Sequence, residues 1–170
     1  MELRKLTEQD AEAYWQVRLR MLRKHPEAFG RSYEEAVAEP VSAALERFRT
    51  QSIQGDNFII GAFDAGLLAG TAGFRRDEGV KMRHKGMIWG VYVAPEVRGR
   101  GLGRALMREA VERASTLPSL EIVYLAVSAP NAPARSLYLS LGFEIYGREP
   151  HALKLVDRYV DEDLMALRLT

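Results

Sequence analysis

The sequence predicts one α/β domain over residues 1–170, and three observations support this prediction. The chain has 170 residues, of which 47% are hydrophobic, enough for one core at this size. Segments with helical and strand-like patterns follow one another in the order β-α-α-β-β-β-α-β-α-β-β. In the second half, an apolar strand, an amphipathic helix and another apolar strand form the pattern of a parallel crossover.

The first third of the chain is predicted to be an edge strand followed by two helices. The short apolar start around Leu3 to Leu6 is the strand. Residues Thr7 to Asp10 resemble a capping box, which opens a helix that runs to about Lys24. After a loop, Pro40 begins the second helix, and Gly55 ends it.

The middle of the chain is predicted to form three strands. The first two, Phe58 to Phe63 and Leu67 to Phe74, flank Asp64-Ala65-Gly66, which is typical of a hairpin turn. A second turn at residues 77–79 leads to a third strand from about Met82 to Val93.

The second half is predicted to hold two helices and three strands. A helix from Gly101 to about Ser115 precedes the short apolar strand Ile122 to Val127, which is typical of a sheet covered on both faces. A helix from about Ala132 to Leu141 comes next. Two strands around Phe143 to Arg148 and Tyr159 to Leu169 end the chain.

Composition excludes several functional classes. The 24 basic and 23 acidic residues nearly balance, which argues against bulk binding to nucleic acid or membranes. There is no cysteine, so disulfides, cysteine zinc sites and a cysteine nucleophile are excluded. The first residues lack the apolar run of a signal peptide, and no stretch approaches 18 apolar residues. We therefore expect a soluble cytoplasmic protein without a metal site.

The most informative segment is a glycine-rich loop that leads into the third predicted helix. It runs from Val91 to Arg104, with a turn at Pro95. Helix N-termini carry unpaired backbone N–H groups and a positive dipole end, and glycines let an anion approach them closely. Nearby arginines add positive charge. The pattern therefore predicts a cradle for a phosphate or pyrophosphate. Its glycines and arginines are Arg98, Gly99, Arg100, Gly101, Gly103 and Arg104.

Other interpretations of this loop are weaker. A Walker A loop needs a Gly-Lys-Ser/Thr ending, which is absent. A dinucleotide-binding fingerprint needs glycine where Arg104 stands, and an acidic residue at the end of the next strand, whereas Glu121 would begin it. A tight turn with solvated arginines and a basic nucleic-acid loop remain alternatives. No interleaved aromatic residues support the latter.

Two motifs in the chain resemble the GNAT superfamily of acetyltransferases. Their signature Arg/Gln-x-x-Gly-x-Gly/Ala is matched by Arg98, Gly101 and Gly103, after a similar strand from Val91 to Pro95. Residues 131–143 are similar to the second motif, Asn-x-x-Ala-x-x-x-Tyr-x-x-x-Gly-Phe. The order of elements is also that of the family. The resemblance implies a GNAT-like fold with a mixed, largely antiparallel sheet and a central parallel β-α-β crossover.

The resemblance also implies how the chain would bind acetyl-CoA as acetyl donor. Backbone amides of the loop would hold the CoA pyrophosphate. The strand near Val91 and Val93 would carry a bulge, pair with the pantetheine arm and offer one free amide to the acetyl carbonyl. Tyr138 would protonate the departing thiolate. The implied cofactor-binding residues are Val91, Tyr92, Val93, Arg98, Gly99, Arg100, Gly101, Leu102, Gly103, Arg104, Asn131, Ala134 and Tyr138.

The residues of the second motif also have plainer interpretations. Ala134, Leu137, Tyr138 and Leu141 form a helical apolar stripe, so a core tyrosine fits the pattern. Asn131 fits a helix cap as well as a contact to the cofactor.

The sequence does not identify the general base. An amine acceptor arrives protonated and must lose a proton before it attacks. Some family members place a glutamate on the strand before the first motif, but that position falls at about Lys85 here. The candidates are Glu34, Glu35, His84 and the acidic run Asp161 to Asp163, with water as an alternative. His25 and His151 are interpreted as structural.

The leading functional prediction is direct transfer of an acetyl group to a primary amine of a small molecule, peptide or protein. No nucleophile for an acyl-enzyme is evident, because cysteine and a Gly-x-Ser-x-Gly elbow are absent. A non-catalytic acyl-CoA-binding regulatory module is the alternative. The last strands of family members often form dimers, so a homodimer is a further expectation. The residues predicted near the acceptor are Phe29, Tyr33, Glu34 and Trp89.

Overall fold

One seven-stranded sheet forms the frame of the molecule. The computed structural model describes residues 1–169. The strand order across the sheet is β1-β2-β3-β4-β5-β7-β6, and every neighbouring pair is antiparallel except β4 and β5. The predicted mixed sheet with one parallel crossover is therefore confirmed. The strands are β1 (Glu2–Lys5), β2 (Phe58–Asp64), β3 (Leu67–Arg76), β4 (Lys85–Val93), β5 (Ile122–Ser128), β6 (Glu144–Lys154) and β7 (Tyr159–Arg168).

Helices pack against this sheet and enclose the main core. The longest two are α1 and α4, which pack on β3, with α4 also covering β2 and β4. Large side chains such as Phe74, Ile88 and Met107 are fully buried between them. The helices are α1 (Ala11–Lys24), α2 (Tyr33–Ala38), α3 (Val41–Arg47), α4 (Leu102–Ser115) and α5 (Ala132–Leu139).

Local chemistry explains several of the element boundaries. The predicted hairpin turn is present, because Ala65 and Gly66 adopt φ of 49° and 82° between β2 and β3. The predicted capping box is also present, with Thr7 and Asp10 at the turn before α1.

Three parts of the chain differ from the sequence prediction. The predicted loop after α1 contains the short helix α2, which Ser32 caps by accepting a hydrogen bond from the Glu35 amide at 3.1 Å. Strand β4 begins at Lys85 rather than Met82, because residues 79–84 form a turn. Strand β6 extends to Lys154, well beyond Arg148. Most of its side chains are exposed. The sequence therefore lacks the alternation of apolar and polar residues that would show where the strand ends.

An ion pair ties the first strand to the first helix. Both carboxylate oxygens of Asp10 accept hydrogen bonds from Arg4, at 2.7 and 2.8 Å, and the amide of Thr7 donates to the same carboxylate at 2.7 Å. These hydrogen bonds, the two from Arg4 foremost, lower the pKa of Asp10 to about 2. The folded state therefore favours the charged form of Asp10.

Asp10→Asn is expected to lower the free energy of unfolding by about 1 to 2 kcal/mol at pH 7. The folded pKa of Asp10 is about 2, below the value of about 3.9 for an unfolded aspartate, so the stabilisation is complete above about pH 5. It is lost as the pH falls towards 2. Urea unfolding at pH 7 and pH 2.5 measures this, and the difference between wild type and variant should shrink at the lower pH. Glu8→Gln, at an exposed site in the same turn, should change stability by less than about 0.5 kcal/mol. A loss independent of pH would contradict the assignment.

Candidate active site

The parallel strands β4 and β5 separate partway along their length and open a cleft. They pair only from Lys85 to Met87, opposite Ile122 to Tyr124, although β5 continues to pair with β7 up to Ser128. Beyond Met87, one edge of β4 therefore faces an open space. That space is part of a cavity of about 850 Å³.

A bulge in β4 lies at this opening, as the resemblance to the family implied. The pairing of β3 with β4 shifts by one residue between Thr71 and Gly73, which leaves one additional residue on β4 around Gly90 and Val91. Gly90 has a φ of 59°, and its carbonyl accepts a hydrogen bond from the Thr71 hydroxyl at 2.9 Å. A side chain at Gly90 would strain this backbone.

The end of β4 presents a backbone amide to the cleft. The amide of Ala94 donates to Ala69 of β3 at 2.8 Å. Amides alternate in direction along a strand, so the amide of Val93 points away from β3, towards the side that β5 has left. This places an amide donor where an extended ligand could pair with β4.

The glycine-rich loop forms an open cradle at the start of α4. Gly99 and Gly101 adopt φ of 79° and 77°, and an added Cβ at either position would meet no atom within 4 Å. Within residues 1–169, no amide from Gly99 to Arg104 donates a hydrogen bond to another protein group. A helix start with several free amides fits a pyrophosphate. The residues therefore fit the phosphate portion of CoA.

The arginines of the loop have different surroundings. Arg98 donates to the Val93 carbonyl at 2.9 Å and lies 3.0 Å from Nε2 of His25, so it fastens the loop to the end of β4. Arg104 lines the cavity and donates to the hydroxyl of Ser140 at 2.8 Å. Arg100 points elsewhere, because its guanidinium pairs with Asp64 at 3.2 Å. Only its backbone belongs to the cradle.

Tyr138 of α5 lines the same cavity. Its side chain is 6% exposed and packs against Phe143, and burial raises its pKa to about 12. Its hydroxyl makes no hydrogen bond to any part of the protein that the structure describes. The group therefore keeps its proton at neutral pH and has no protein acceptor for it.

Asn131, at the start of α5, is placed both to cap the helix and to face the cavity. Its side-chain oxygen accepts a hydrogen bond from the Ala134 amide at 3.2 Å, which makes it the helix cap. Both residues also line the cavity. The helix is held on the sheet by Asp163 of β7, which is 1% exposed and accepts hydrogen bonds from Arg135 and Arg148.

The other predicted cofactor residues are close by, with side chains in different places. Val91, Val93 and Gly103 line the cavity. Leu102 and Tyr92 are almost fully buried and contribute mainly to the core, although both also reach the lining. The sequence motif thus mixes residues that face the cleft with residues that hold the loop in place.

The far end of the cavity has aromatic walls. Phe29 and Trp89, predicted near an acceptor, both line it. The indole N–H of Trp89 is buried and has no hydrogen-bond partner in the described chain. Tyr33 and Glu34 lie in the first turn of α2, and neither is part of the lining. Their predicted place beside the acceptor thus receives no support from the cavity.

The candidate bases are distributed unevenly around the cleft. Neither Lys85 nor His84 lines the cavity, and Lys85 lies 3.9 Å from Asp77. His151 stacks on Tyr159 outside the cavity. His25 does line it, although the sequence predicted only a structural role.

Glu162, one member of the predicted acidic run, reaches the same space from β7. The other carboxylate of the lining is Glu27, which lies 3.6 Å from Nδ1 of His25. Burial, and then the neighbouring charge of Glu149, raise the pKa of Glu162. It forms no ion pair with the described residues.

Sequence reasoning missed two charged residues of the cavity, Arg18 and Glu27. Arg18 of α1 lines the cavity beside Phe29 and Trp89. Among the residues that the structure describes, no group of three or more His, Cys, Asp or Glu is placed to hold a metal ion. No helix among residues 1–169 has both the length and the apolar character that crossing a membrane requires.

The fold and the cleft have the features expected of a transferase with a phosphate-bearing donor: a cradle of free amides lies beside the gap between two parallel strands. Comparison with known proteins agrees. The model of the acetyltransferase (GNAT) family matches residues 15–143. The L-methionine sulfoximine/L-methionine sulfone acetyltransferase of Pseudomonas aeruginosa is 32% identical over 127 residues, which cover 72% of this chain and 70% of that protein.

Two further similarities extend this result. The N-alpha-acetyltransferase RimI of Mycobacterium tuberculosis is 34% identical over 100 residues, covering 59% of this chain and 60% of that protein. The YncA structure of Salmonella typhimurium, solved with its cofactor acetyl-CoA, has the same fold, with a TM-score of 0.85 and 22% identity. The superposition covers 100% of this chain and 94% of the YncA chain.

The chain belongs to the GNAT family of acetyltransferases. It is an acetyl-CoA-dependent N-acetyltransferase that transfers the acetyl group to an amine, as the sequence predicted. The comparisons give no support to the alternative of a non-catalytic regulatory module.

Proposed function

We propose that the acceptor is the primary amine of a small molecule, and that this amine attacks the acetyl group directly. One observation carries the proposal: the same cavity connects the glycine-rich loop, Tyr138 and Glu162. A single space thus offers a phosphate cradle, a proton donor and a proton acceptor. Direct transfer is further supported by the absence of cysteine, because no thiol is available to carry the acetyl group.

The donor end would use mainly backbone groups. Bound acetyl-CoA would supply the acetyl thioester. The free amides from Gly99 to Arg104 would hold its pyrophosphate, and the amide of Val93 would donate to the extended arm or to the carbonyl oxygen. These contacts use N–H groups that lack protein partners, so binding them costs no existing hydrogen bond.

Tyr138 would supply the proton that the leaving group needs. The C–N bond forms as the amine attacks the carbonyl carbon, and the C–S bond then breaks. A thiolate leaves, and the hydroxyl of Tyr138 would protonate it. A tyrosine whose pKa is about 12 is protonated at neutral pH, as a general acid must be.

Glu162 would accept a proton from the incoming amine. A free alkylamine has a pKa of about 10.4 and arrives as an ammonium ion, which cannot attack. Burial raises the pKa of Glu162 towards neutrality, so the carboxylate is a better proton acceptor than an exposed glutamate. It also lines the cavity without an ion-pair partner that would hold it away from a ligand.

The lining of the cavity and the similar proteins both support a small molecule as the acceptor. Phe29, Trp89 and Leu153 wall the acceptor end. The P. aeruginosa relative, which acts on small amino compounds according to its name, aligns over more of the chain than the RimI relative does.

The absence of cysteine from the sequence also accords with a reducing compartment such as the cytoplasm.

A thiol-release assay with acetyl-CoA tests the proposal. The panel should contain L-amino acids, diamines and a peptide with a free N-terminus, and mass spectrometry should identify each N-acetyl product. We expect turnover with small amino compounds and little with the peptide. Turnover of the peptide alone, or of no amine at all, would contradict the proposed acceptor class.

Glu162→Gln is expected to lower kcat/KM for the amine by about 100-fold at neutral pH. The base must be ionised, so wild-type activity should fall as the pH drops through the raised pKa of Glu162. The loss in the variant should shrink as the pH approaches the pKa of the amine, because a free amine needs no base. Profiles of kcat/KM against pH measure both effects.

Glu149→Gln provides the matched control, because Glu149 is exposed and lies opposite Glu162 in the β6–β7 pairing. Removing its charge should lower the pKa of Glu162 and move the acidic limb of the profile to lower pH, with the maximal rate retained. An unchanged profile in the Glu162→Gln variant would show that another group, or water, takes the proton.

A further inference from the structure

Arg18 occupies an unusual position for a helix arginine. Its guanidinium lies over the ring of Phe29 at 5.5 Å and over that of Trp89 at 5.9 Å, and it lines the cavity. A Cβ added to Gly90 would lie 3.7 Å from its Nη1 atom. Arg18 therefore sits beside the bulge of β4, next to the place where the acetyl group is transferred in the proposed reaction.

The charge of Arg18 is not neutralised by any described residue. Its one hydrogen bond to a protein group goes to the sulfur of Met21 at 3.4 Å. Arg31 and Arg47 add positive potential at Arg18, although both pair with Glu39. Together with burial, which is the larger cause, they lower the pKa of Arg18. By contrast, Arg20 on the same helix pairs with Glu96.

A half-buried guanidinium without a carboxylate is costly, because burial removes water without supplying a counter-ion. Such a cation is stabilised when an anion enters the cavity. Its planar N–H groups match a carboxylate in a two-point hydrogen bond, and the rings of Phe29 and Trp89 hold the plane in place.

We propose that Arg18 binds the carboxylate of the acceptor, and that the acceptor is an α-amino acid or a close analogue. This inference rests on the proposed function, since it names the class of amine that the same cavity accepts. The arrangement suits a zwitterion: Arg18 receives the carboxylate, and Glu162 receives the ammonium group. Apolar residues of the same lining, such as Met87, Val127 and Leu153, would contact the amino-acid side chain.

Pairs of substrates test the proposal in the wild-type enzyme. L-Methionine sulfone and two apolar L-amino acids are each compared with their α-carboxamides at saturating acetyl-CoA. We expect kcat/KM to be about 10- to 100-fold higher for the acids, since a charge-assisted contact of this kind is lost in the carboxamide. The carboxamide amine loses its proton more readily, so amine ionisation does not favour the acid.

Variants of Arg18 then locate the effect. Arg18→Gln should raise KM for the acids about 10- to 100-fold and abolish the preference, with the Kd of acetyl-CoA unchanged. Arg18→Lys should keep part of the preference, because it retains the charge but loses the two-point geometry. Arg23→Gln is the matched control: Arg23 is an exposed arginine of α1 outside the cavity, and the preference should persist.

Each failure has a distinct appearance. Equal turnover of acids and carboxamides by the wild type, or turnover of carboxylate-free amines alone, would overturn the role of Arg18 and leave the acetyltransferase intact. The same holds if Arg18→Gln reduces both members of each pair equally. If Arg18→Gln does not fold, the comparison of acids with carboxamides in the wild-type enzyme still tests whether the carboxylate is recognised. Absence of thiol release with every amine would instead remove the proposed function, and this inference with it.

Discussion

Tyr138→Phe is expected to lower kcat by about 100-fold or more, because the variant cannot protonate the departing thiolate. Tyr138 lines the cavity and its hydroxyl makes no hydrogen bond within the described chain, so loss of the hydroxyl should leave the fold stable. The Kd of acetyl-CoA should stay within about threefold, since the phosphate cradle is untouched. Thiol release at saturating substrates, with calorimetry of acetyl-CoA binding, measures both quantities.

Tyr124→Phe is a suitable control for this experiment. Tyr124 of β5 has a pKa that is likewise raised to about 12, by burial and by its hydrogen bond to Asp77, but it lies outside the cavity. Its loss should reduce stability by about 1 kcal/mol and leave kcat unchanged. If Tyr138→Phe retained full kcat with chemistry shown to be rate-limiting, the thiolate would receive its proton elsewhere.

The donor side of the site could be predicted from the sequence because its chemistry is local. The glycines and the helix start are adjacent in the chain, so the free amides from Gly99 to Arg104 follow from a short pattern. The bulge near Val91 was expected from family resemblance, and the β3–β4 register confirms its presence. The roles of Tyr138 and Asn131 stay predictions, although both residues line the cavity.

The acceptor side could not be predicted in the same way, because distant elements bring it together. Arg18 follows Tyr14 by four residues and precedes Met21 by three, which places it on the apolar stripe of α1. That position was the available signal, since a charge on a buried stripe needs a partner. Glu162 belongs to an acidic run, and the sequence does not distinguish its members. In the structure Asp163 forms ion pairs with two arginines, whereas Glu162 lines the cavity.

Helix α2 and the last part of strand β6 could not be predicted from the sequence for a different reason. Helix α2 has six residues and depends on one capping box, which is too short for a clear helical period. Most side chains of β6 beyond Arg148 are exposed, so mainly its pairing with β7 defines this part as a strand. In both cases the stabilising contacts are hydrogen bonds, which leave little trace in a hydrophobic pattern.

Gly103→Leu is expected to raise the Kd of acetyl-CoA by about 100-fold or more without lowering stability. Gly103 lies in the first turn of α4 with helical backbone, and a Cβ there would lie 3.4 Å from Leu137 and 3.8 Å from Val93, at the ordinary limit of contact. The rest of a leucine would extend between these two cavity-lining side chains, into the space that the donor needs. Leucine is also the better helix former, by about 0.8 to 1 kcal/mol.

Binding and stability should therefore change in opposite directions, which separates a blocked cleft from a damaged fold. Calorimetry with CoA and acetyl-CoA measures the first quantity, and urea unfolding measures the second. Arg108→Leu, at an exposed position on the same helix, should leave binding unchanged. Tight binding by Gly103→Leu would mean that the donor does not pass between β4 and α5. The cradle of amides would then have to serve a ligand that enters from another side.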